Sequence, residues 1–281
     1  MREGACPQSQ GEGWQAQLTL DFACSKSRTM LVRSDHQGPL RVQRAFYPEG
    51  DLAHMYLLHP PGGVVGGDAL TINVRVDTAA QVLCTTPGSG KFYRSAGSWA
   101  ILNQHLRVSK GASLEWLPQE NILFAGARLR SRTHIELEAD AVFMGWEVNC
   151  LGRPSSQEPF HSGAFDSRLM LYHNQRPILV ENQRVFDSNM LKSAAGLRGF
   201  PLQGTLLAFP CTESQLDYAR RKMASLSENA LAGLTLIDGL LVMRILGNNS
   251  ETLKQHLVSL WKILRPLLLD RPAVLPRIWA T

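Results

Sequence analysis

Residues 58–68 read Leu-His-Pro-Pro-Gly-Gly-Val-Val-Gly-Gly-Asp, with an imidazole, His59, near one end and a carboxylate, Asp68, at the other. Two prolines fix φ and remove N–H donors, and four glycines permit turns and close approaches denied to residues with a Cβ. The segment therefore reads as a shaped loop between strands: either a double turn with structural glycines or a frame that holds polar groups in place. Other carboxylates stand in comparable settings: Glu120 in Trp116-Leu-Pro-Gln-Glu-Asn-Ile-Leu-Phe124, Glu147 in Gly145-Trp-Glu-Val-Asn-Cys-Leu-Gly-Arg153, and Glu181. Imidazole, carboxylate and thiolate are ligand types for divalent transition metals, so His59, Asp68, Glu120, Glu147 and Cys150 suit such an ion. No two of them have the spacing of a preformed cage, and there is no H-x-H, H-E-x-x-H or His-rich tail. Sparse carboxylates fit an ion in passage better than an ion in storage. The competing reading of each is a loop carboxylate that caps backbone N–H groups, and for Glu181 this is the stronger one.

Enzymatic readings find little support. Gly88-Ser-Gly-Lys-Phe92 invites comparison with a phosphate-binding loop, but Thr85 stands where that loop needs glycine and Phe92 where it needs Ser or Thr. No Gly-x-Ser-x-Gly occurs, so a nucleophile-elbow hydrolase is unsupported. One alternative stays open, an independent Cys-dependent hydrolase or transferase using Cys150 with Glu147. Against it stands the common fate of cysteine at the end of an apolar strand, which is inert core.

The five cysteines are odd in number and far apart, with no C-x-x-C pair, which argues against a disulfide framework and a structural zinc site. There is no secretory signal pattern at the N-terminus. The most apolar stretch, residues 234–246, is broken by Asp238, Gly239 and Arg244 well short of a membrane span. The cytosol is the expected location. A net charge of +5 suits an acidic partner, yet the basic residues are scattered. Arg128, Arg130 and Arg132 alternate, which on a strand places them on one face. With no nucleic-acid motif nearby, that row reads as a solvated or protein-contact face rather than a nucleic-acid stripe.

The elements that must position these groups are mostly strands. Residues 71–76 and 133–139 alternate cleanly, the latter with Ile135 and Leu137 opposite His134, Glu136 and Glu138. Shorter strands fit 81–85, 101–108, 113–117, 142–148, 168–173, 178–181 and 205–209, and the short turn-rich intervals between them predict antiparallel layers. Near the C-terminus Thr212 predicts the cap of a helix to about Ser225, Asp238-Gly239 predicts a hairpin turn, and Ser250 predicts the cap of a second helix that Pro266 ends. The expected fold is mainly β, with layered, β-helical-like antiparallel or mixed sheets and two C-terminal helices. No internal repeat is evident. Residues 1–16 read as a frayed tail and 17–281 as one domain, with 44% hydrophobic residues to supply its core.

Together the four segments at 58–68, 85–94, 116–124 and 145–153 resemble, in order and over nearly the whole chain, the UreD (UreH) family of urease accessory proteins. The resemblance implies a β-helical body and a maturation scaffold, not an enzyme. It also implies contacts with apo-urease and UreF, through UreF with the GTPase UreG, and Ni2+ conveyed through an interior passage with no permanently bound cofactor. Asp68 matches a family acidic position, and Glu147 falls in a Gly-Trp-acid segment where the resemblance implies Asp as an alternative, so that its extra methylene alters reach without altering charge. The sequence leaves open whether two copies meet within such a complex.

Overall fold

Strands built on period-two alternation make up most of the chain, which the computed structural model describes over residues 13–224 and 230–280. In chain order they begin with β1 (Gln15–Ser25), β2 (Arg28–Gln37), β3 (Arg41–Val42), β4 (Ala53–Leu58), β5 (Ala69–Val76) and β6 (Gln81–Thr85). There follow β7 (Gly90–Phe92), β8 (Ala100–Val108), β9 (Ser113–Leu117), β10 (Asn121–Leu123), β11 (Arg128–Leu137) and β12 (Val142–Arg153). The remainder comprises β13 (Glu158–Pro159), β14 (Ala164–His173), β15 (Arg176–Val185), helix α1 (Ser188–Lys192), β16 (Leu202–Phe209), α2 (Glu213–Met223), β17 (Ala230–Ile237), β18 (Leu240–Gly247) and α3 (Ser250–Leu269).

The first sheet has the order β15-β14-β11-β8-β5-β1-β2, and the second β17-β18-β16-β12-β9-β6-β4-β3. From β4 to β14 the main strands alternate between the two sheets. Strands β5, β8, β11 and β14 pair in parallel in one, and β4, β6, β9 and β12 in parallel in the other. The body is thus mainly β, mixed and solenoid-like, as expected, but its middle is parallel where antiparallel layers were expected. The short turns carry the chain between sheets, not between neighbours within one. Antiparallel pairing is found at the flanks, in β1–β2, β14–β15 and β12–β16–β18–β17.

A structural repeat accompanies this path although no sequence repeat announces it. Turns at Asp77–Ala80, Ser109–Ala112 and Glu138–Ala141 each close through a bond from a buried alanine N–H. They stack directly: Ser113 N–H donates to the Ala80 carbonyl, and Val142 N–H to that of Ala112. The coils lie roughly thirty residues apart, typical of a solenoid in which each unit buries its apolar face only against its neighbours. Turn geometry, and little side-chain identity, is what repeats.

Inward-facing residues of both sheets, among them Val74, Leu106, Leu129, Phe165, Val82, Leu114 and Phe143, form one core. The second sheet's other face is covered by α2 and α3, with Leu253, Leu257, Leu260, Trp261 and Leu264 packed on Met144, Trp146, Val148 and Leu206. The outer face of the first sheet is solvated.

Thr212 caps α2 with a full capping box, bonding the Gln215 N–H while the Gln215 side chain returns to Thr212 N–H. Thr212→Ala is expected to cost about 1 kcal/mol, measurable by urea titration. The helix closes at Met223, and Ser225, its expected end, lies outside the described residues. Asp238 and Gly239 turn the β17–β18 hairpin with φ of 46° and 80°, as expected.

Three expectations need correction. Asn249, not Ser250, caps α3, because its side chain reaches the Thr252 N–H. Pro266 does not end that helix, which runs on to Leu269 and stops at Asp270 in the left-handed region. The preceding residue, Arg265, is held by buried ion pairs and by the Pro272 carbonyl, so contacts on both sides of the proline override its preference to break the helix. Gln15 and Ala16, expected in the frayed tail, belong to β1; residues 1–12 lie outside the described part. A short third helix, α1, joins the two expected ones, capped by Asp187.

Candidate functional site

Segments 58–68, 85–94 and 116–124 are successive connections stacked at the end of the solenoid opposite the short turns, and 145–153, within β12, runs to the same end. Val64 pairs with Phe92, Phe92 with Leu123 through β7–β10, and Leu123 with Leu151 through β10–β12. Each of these four side chains is buried, so they form a short apolar ladder. Gly63 shows why glycine is needed: a Cβ there would meet the Tyr93 ring at 2.3 Å and the Lys91 carbonyl at 2.8 Å. Tyr93 in turn donates its hydroxyl to the Gly62 carbonyl. Arg153 anchors its own loop, pairing with Glu158 and lying over the Phe124 ring.

Beneath these loops lies a cavity of about 490 Å3, lined by His59, Pro60, the Thr86–Lys91 loop, Gln104, Trp116 and Asn121 among others. From it a line of polar groups runs into the space between the sheets, where Ser131, Ser167 and Asn149 are also buried. Gln104 Nε2 donates to Thr133 Oγ1 at 3.0 Å, and the Thr133 hydroxyl donates to Glu147 Oε1. Glu147, Thr133, Trp116 and Thr205 share a second void of about 10 Å3, room for about one water. Trp116 lines both spaces, and its buried indole N–H has no protein acceptor. Burial pushes the Glu147 carboxyl above the usual range, against the Thr133 bond, with Glu181 adding repulsion. Glu181 itself is tied to Arg244 at 3.0 Å on the surface beyond.

The sequence-predicted residues are therefore not gathered in one place. His59 lines the larger cavity and is held more neutral than usual by burial, which nearby Asp68 partly opposes. Asp68 accepts the Trp14 and Val65 N–H groups at 2.8 and 2.9 Å, the capping role weighed against a metal role. Glu120 sits in an adjoining outer concavity with Lys254 and Trp279. Glu147 alone lies between the sheets. Among the described residues no three of His, Cys, Asp or Glu are grouped for a metal ion.

Gln104, Thr133 and Thr205 were missed. The signal was present in parity: Thr133 shares the face of Ile135 and Leu137, so a polar residue points where the alternation calls for an apolar one. Also missed was a buried ionic cluster beneath α3. Arg265, wholly buried, pairs with Glu115 through Nε at 2.9 Å and with both Glu49 oxygens at 2.8 Å. Trp261 Nε1 donates to Glu115 at 2.6 Å, and His54 Nε2 meets Glu49 at 2.8 Å. Although burial pushes Glu49 up, His54 and Arg265 bring it below the usual carboxylate range.

The enzymatic alternative loses its pair. Cys150 and Glu147 are three residues apart on one strand and so face opposite ways, Cys150 into the layer under α3 and Glu147 between the sheets. Burial raises the Cys150 thiol to about 12, and it donates to the Gly152 carbonyl, so no thiolate is on hand at neutral pH. The segment after Gly88-Ser-Gly-Lys91 is strand, not the helix a phosphate loop requires. Arg130 and Arg132 pair with Asp166, and Arg128 and Arg130 lie over Trp99, so most of this row is already partnered within the sheet, although the buried Arg128 Nε–H has no acceptor. No helix among the described residues is long and apolar enough to cross a membrane.

Residues 15–280 match the family profile described as UreD urease accessory protein. The chain is 47% identical over 274 residues to a urease accessory protein UreD of Alcanivorax borkumensis, covering 96% of this chain and 93% of the relative. It is 44% identical to one from Citrobacter koseri, with 96% and 92% covered, and 42% identical to one from Escherichia coli, with 96% and 98% covered.

Proposed function

The chain belongs to the UreD family of urease accessory proteins, and from that premise we propose a non-enzymatic cytoplasmic scaffold that binds UreF, and through it UreG, together with apo-urease. It conveys Ni2+ toward the nascent urease centre and keeps no cofactor of its own. The observation that carries the transit reading is the hydrogen-bonded polar line Gln104–Thr133–Glu147, laid between the two sheets and leading inward from the cavity that His59 lines. Buried polar groups are costly, and a core built only for stability would carry apolar residues there.

The ion enters beneath the stacked loops as a loosely held species, takes oxygen ligands from Gln104, Thr133 and Glu147 in turn, and leaves toward the Glu181 side. The two voids are separate bodies of about 490 and 10 Å3, so the route is closed at Glu147 in this conformation and opens by displacement of the Glu147–Thr133 contact. Asp68 serves the scaffold by fixing the loop, and Glu120 stands outside this route. A first test is purification with tagged UreF and urease subunits: the chain is expected in both, and its absence from both would remove the reading. Cys150→Ala is expected to leave urease activation nearly unchanged, whereas a Cys-dependent enzyme would lose its activity.

A further inference from the structure

We propose that the solvent face of β11, β14 and β15 is a docking surface for an acidic, extended segment of a protein partner, whose carboxylates are received by Arg128, Arg130, Arg168 and Arg184. The proposal shares with the scaffold reading the need for a protein partner, and it does not rest on the inter-sheet route.

Strand pairing builds the surface. β11 and β14 run parallel in register, with Arg130 beside Asp166 and Arg132 beside Arg168, and β15 places Arg184 on the other side of Asp166. Alternate residues of a strand share a face, so these side chains and Arg128 all stand opposite the core-facing Leu129, Phe165 and Leu169. Five guanidinium groups thus gather round one carboxylate. Asp166 is buried beneath them and acts as their anchor. Arg132 is taken up by it, through Asp166 Oδ2 at 2.7 Å and the Asp166 and Ser131 carbonyls. Arg130 and Arg184 reach it through Nε at 3.3 and 3.4 Å while their side chains stay 44% and 61% exposed, so their Nη groups remain for a partner. Arg168 is exposed and makes no ion pair among the described residues. The buried Arg128 Nε–H has no acceptor. Positive charge in such excess, held on a rigid sheet, selects an acidic partner.

Like-facing residues recur about every 6.8 Å along a strand, which is the spacing of Arg128, Arg130 and Arg132 and equally that of alternate side chains in an extended peptide. A segment with acids at alternate positions therefore meets this row in step, in the forked geometry that arginine offers a carboxylate. Further along the same face the exposed Val180 stands beside Met170, an apolar contact suited to a protein segment. A single-stranded nucleic acid would need ring faces on which to stack its bases. Those here are taken: Trp99 carries Arg128 and Arg130 at 4.8 Å, and Tyr172 rests on His134 at 5.0 Å.

The test follows the fluorescence anisotropy of a labelled peptide about twelve residues long, with Glu and Thr alternating, added to the purified full chain at low salt, and labelled oligo-dT of similar length is the rival probe. The variants are Arg168→Glu, Arg184→Glu and, on β2 at the sheet's opposite edge, Arg33→Glu, each checked for folding by circular dichroism, with Arg168→Gln as the milder change should a reversal fail to fold. The affinity for the peptide is expected to fall at least about tenfold in Arg168→Glu and in Arg184→Glu, and less than about twofold in Arg33→Glu. No binding by the wild type, or equal losses in all three variants, overturns the proposal. Tighter binding of oligo-dT with losses at the same arginines overturns it in favour of a nucleic-acid face. Each outcome is read on this chain alone, so failure here leaves co-purification with UreF and urease as a separate result.

Discussion

Arg265→Ala is expected to destabilise the fold by about 3–5 kcal/mol, the cost of leaving buried charges without their partner. Arg265 is wholly buried and is shared by Glu49 and Glu115, so its removal strands two carboxylates at once. Its fork also holds the Pro272 carbonyl beyond the helix end, and with it the turn that follows α3. Arg265→Lys is expected to recover little, because an ammonium cannot reproduce contacts that Nε, Nη1 and Nη2 make in three directions. In thermal melts the alanine variant should lose on the order of 10 °C. A change below 1 kcal/mol would mean that the cluster contributes nothing to docking α3 on the second sheet.

That cluster also marks where sequence reading stops. Glu49, His54, Glu115 and Arg265 are scattered across more than two hundred positions, and nothing in local pattern joins them. Glu115 in particular sits in Ser113-Leu-Glu-Trp-Leu117, a strand whose residues are all buried, so alternation assigns it to no solvent face. Local rules did well where the cause is local: the Thr212 cap, the Asp238-Gly239 turn, and the exact spans of β6 and β9. They failed where tertiary contacts outweigh preference, as at Pro266. Parallel pairing was hidden because turn chemistry tells that the chain reverses, not which sheet receives it. In the candidate site, His59 and Glu147 were singled out by residue type and setting. Thr133 and Gln104, which connect them, were visible only as polar residues at apolar parity, a signal that needs the sheet faces to be known.

The second large effect is expected at Glu147. Glu147→Gln keeps the shape and the Thr133 contact but removes the negative oxygen, and urease matured with it should contain about tenfold less nickel, the scale of losing one ligating oxygen from a loosely held ion. The complex with UreF and urease should survive, since Glu147 lies between the sheets and is only partly exposed. Stability should move the other way. Burial raises the Glu147 carboxyl, so the folded chain keeps a proton that the unfolded chain releases. That contribution is full below the ordinary carboxylate pKa and is lost as pH climbs toward the raised folded value. Glutamine has no proton to lose, so the variant should decline less in stability from mildly acidic to neutral pH. Equal pH slopes for variant and wild type, measured by urea titration, would place Glu147 in a wetter setting than the one described.

The most direct measurement is nickel-edge anomalous diffraction from crystals of the chain in complex with its UreF partner, soaked in Ni2+. A peak between the two sheets, within coordinating distance of Glu147 and absent in Glu147→Gln, is expected. Nickel found on the exterior alone, with the space among Thr133, Glu147 and Thr205 empty at saturating ion, would contradict transit through the body of the solenoid.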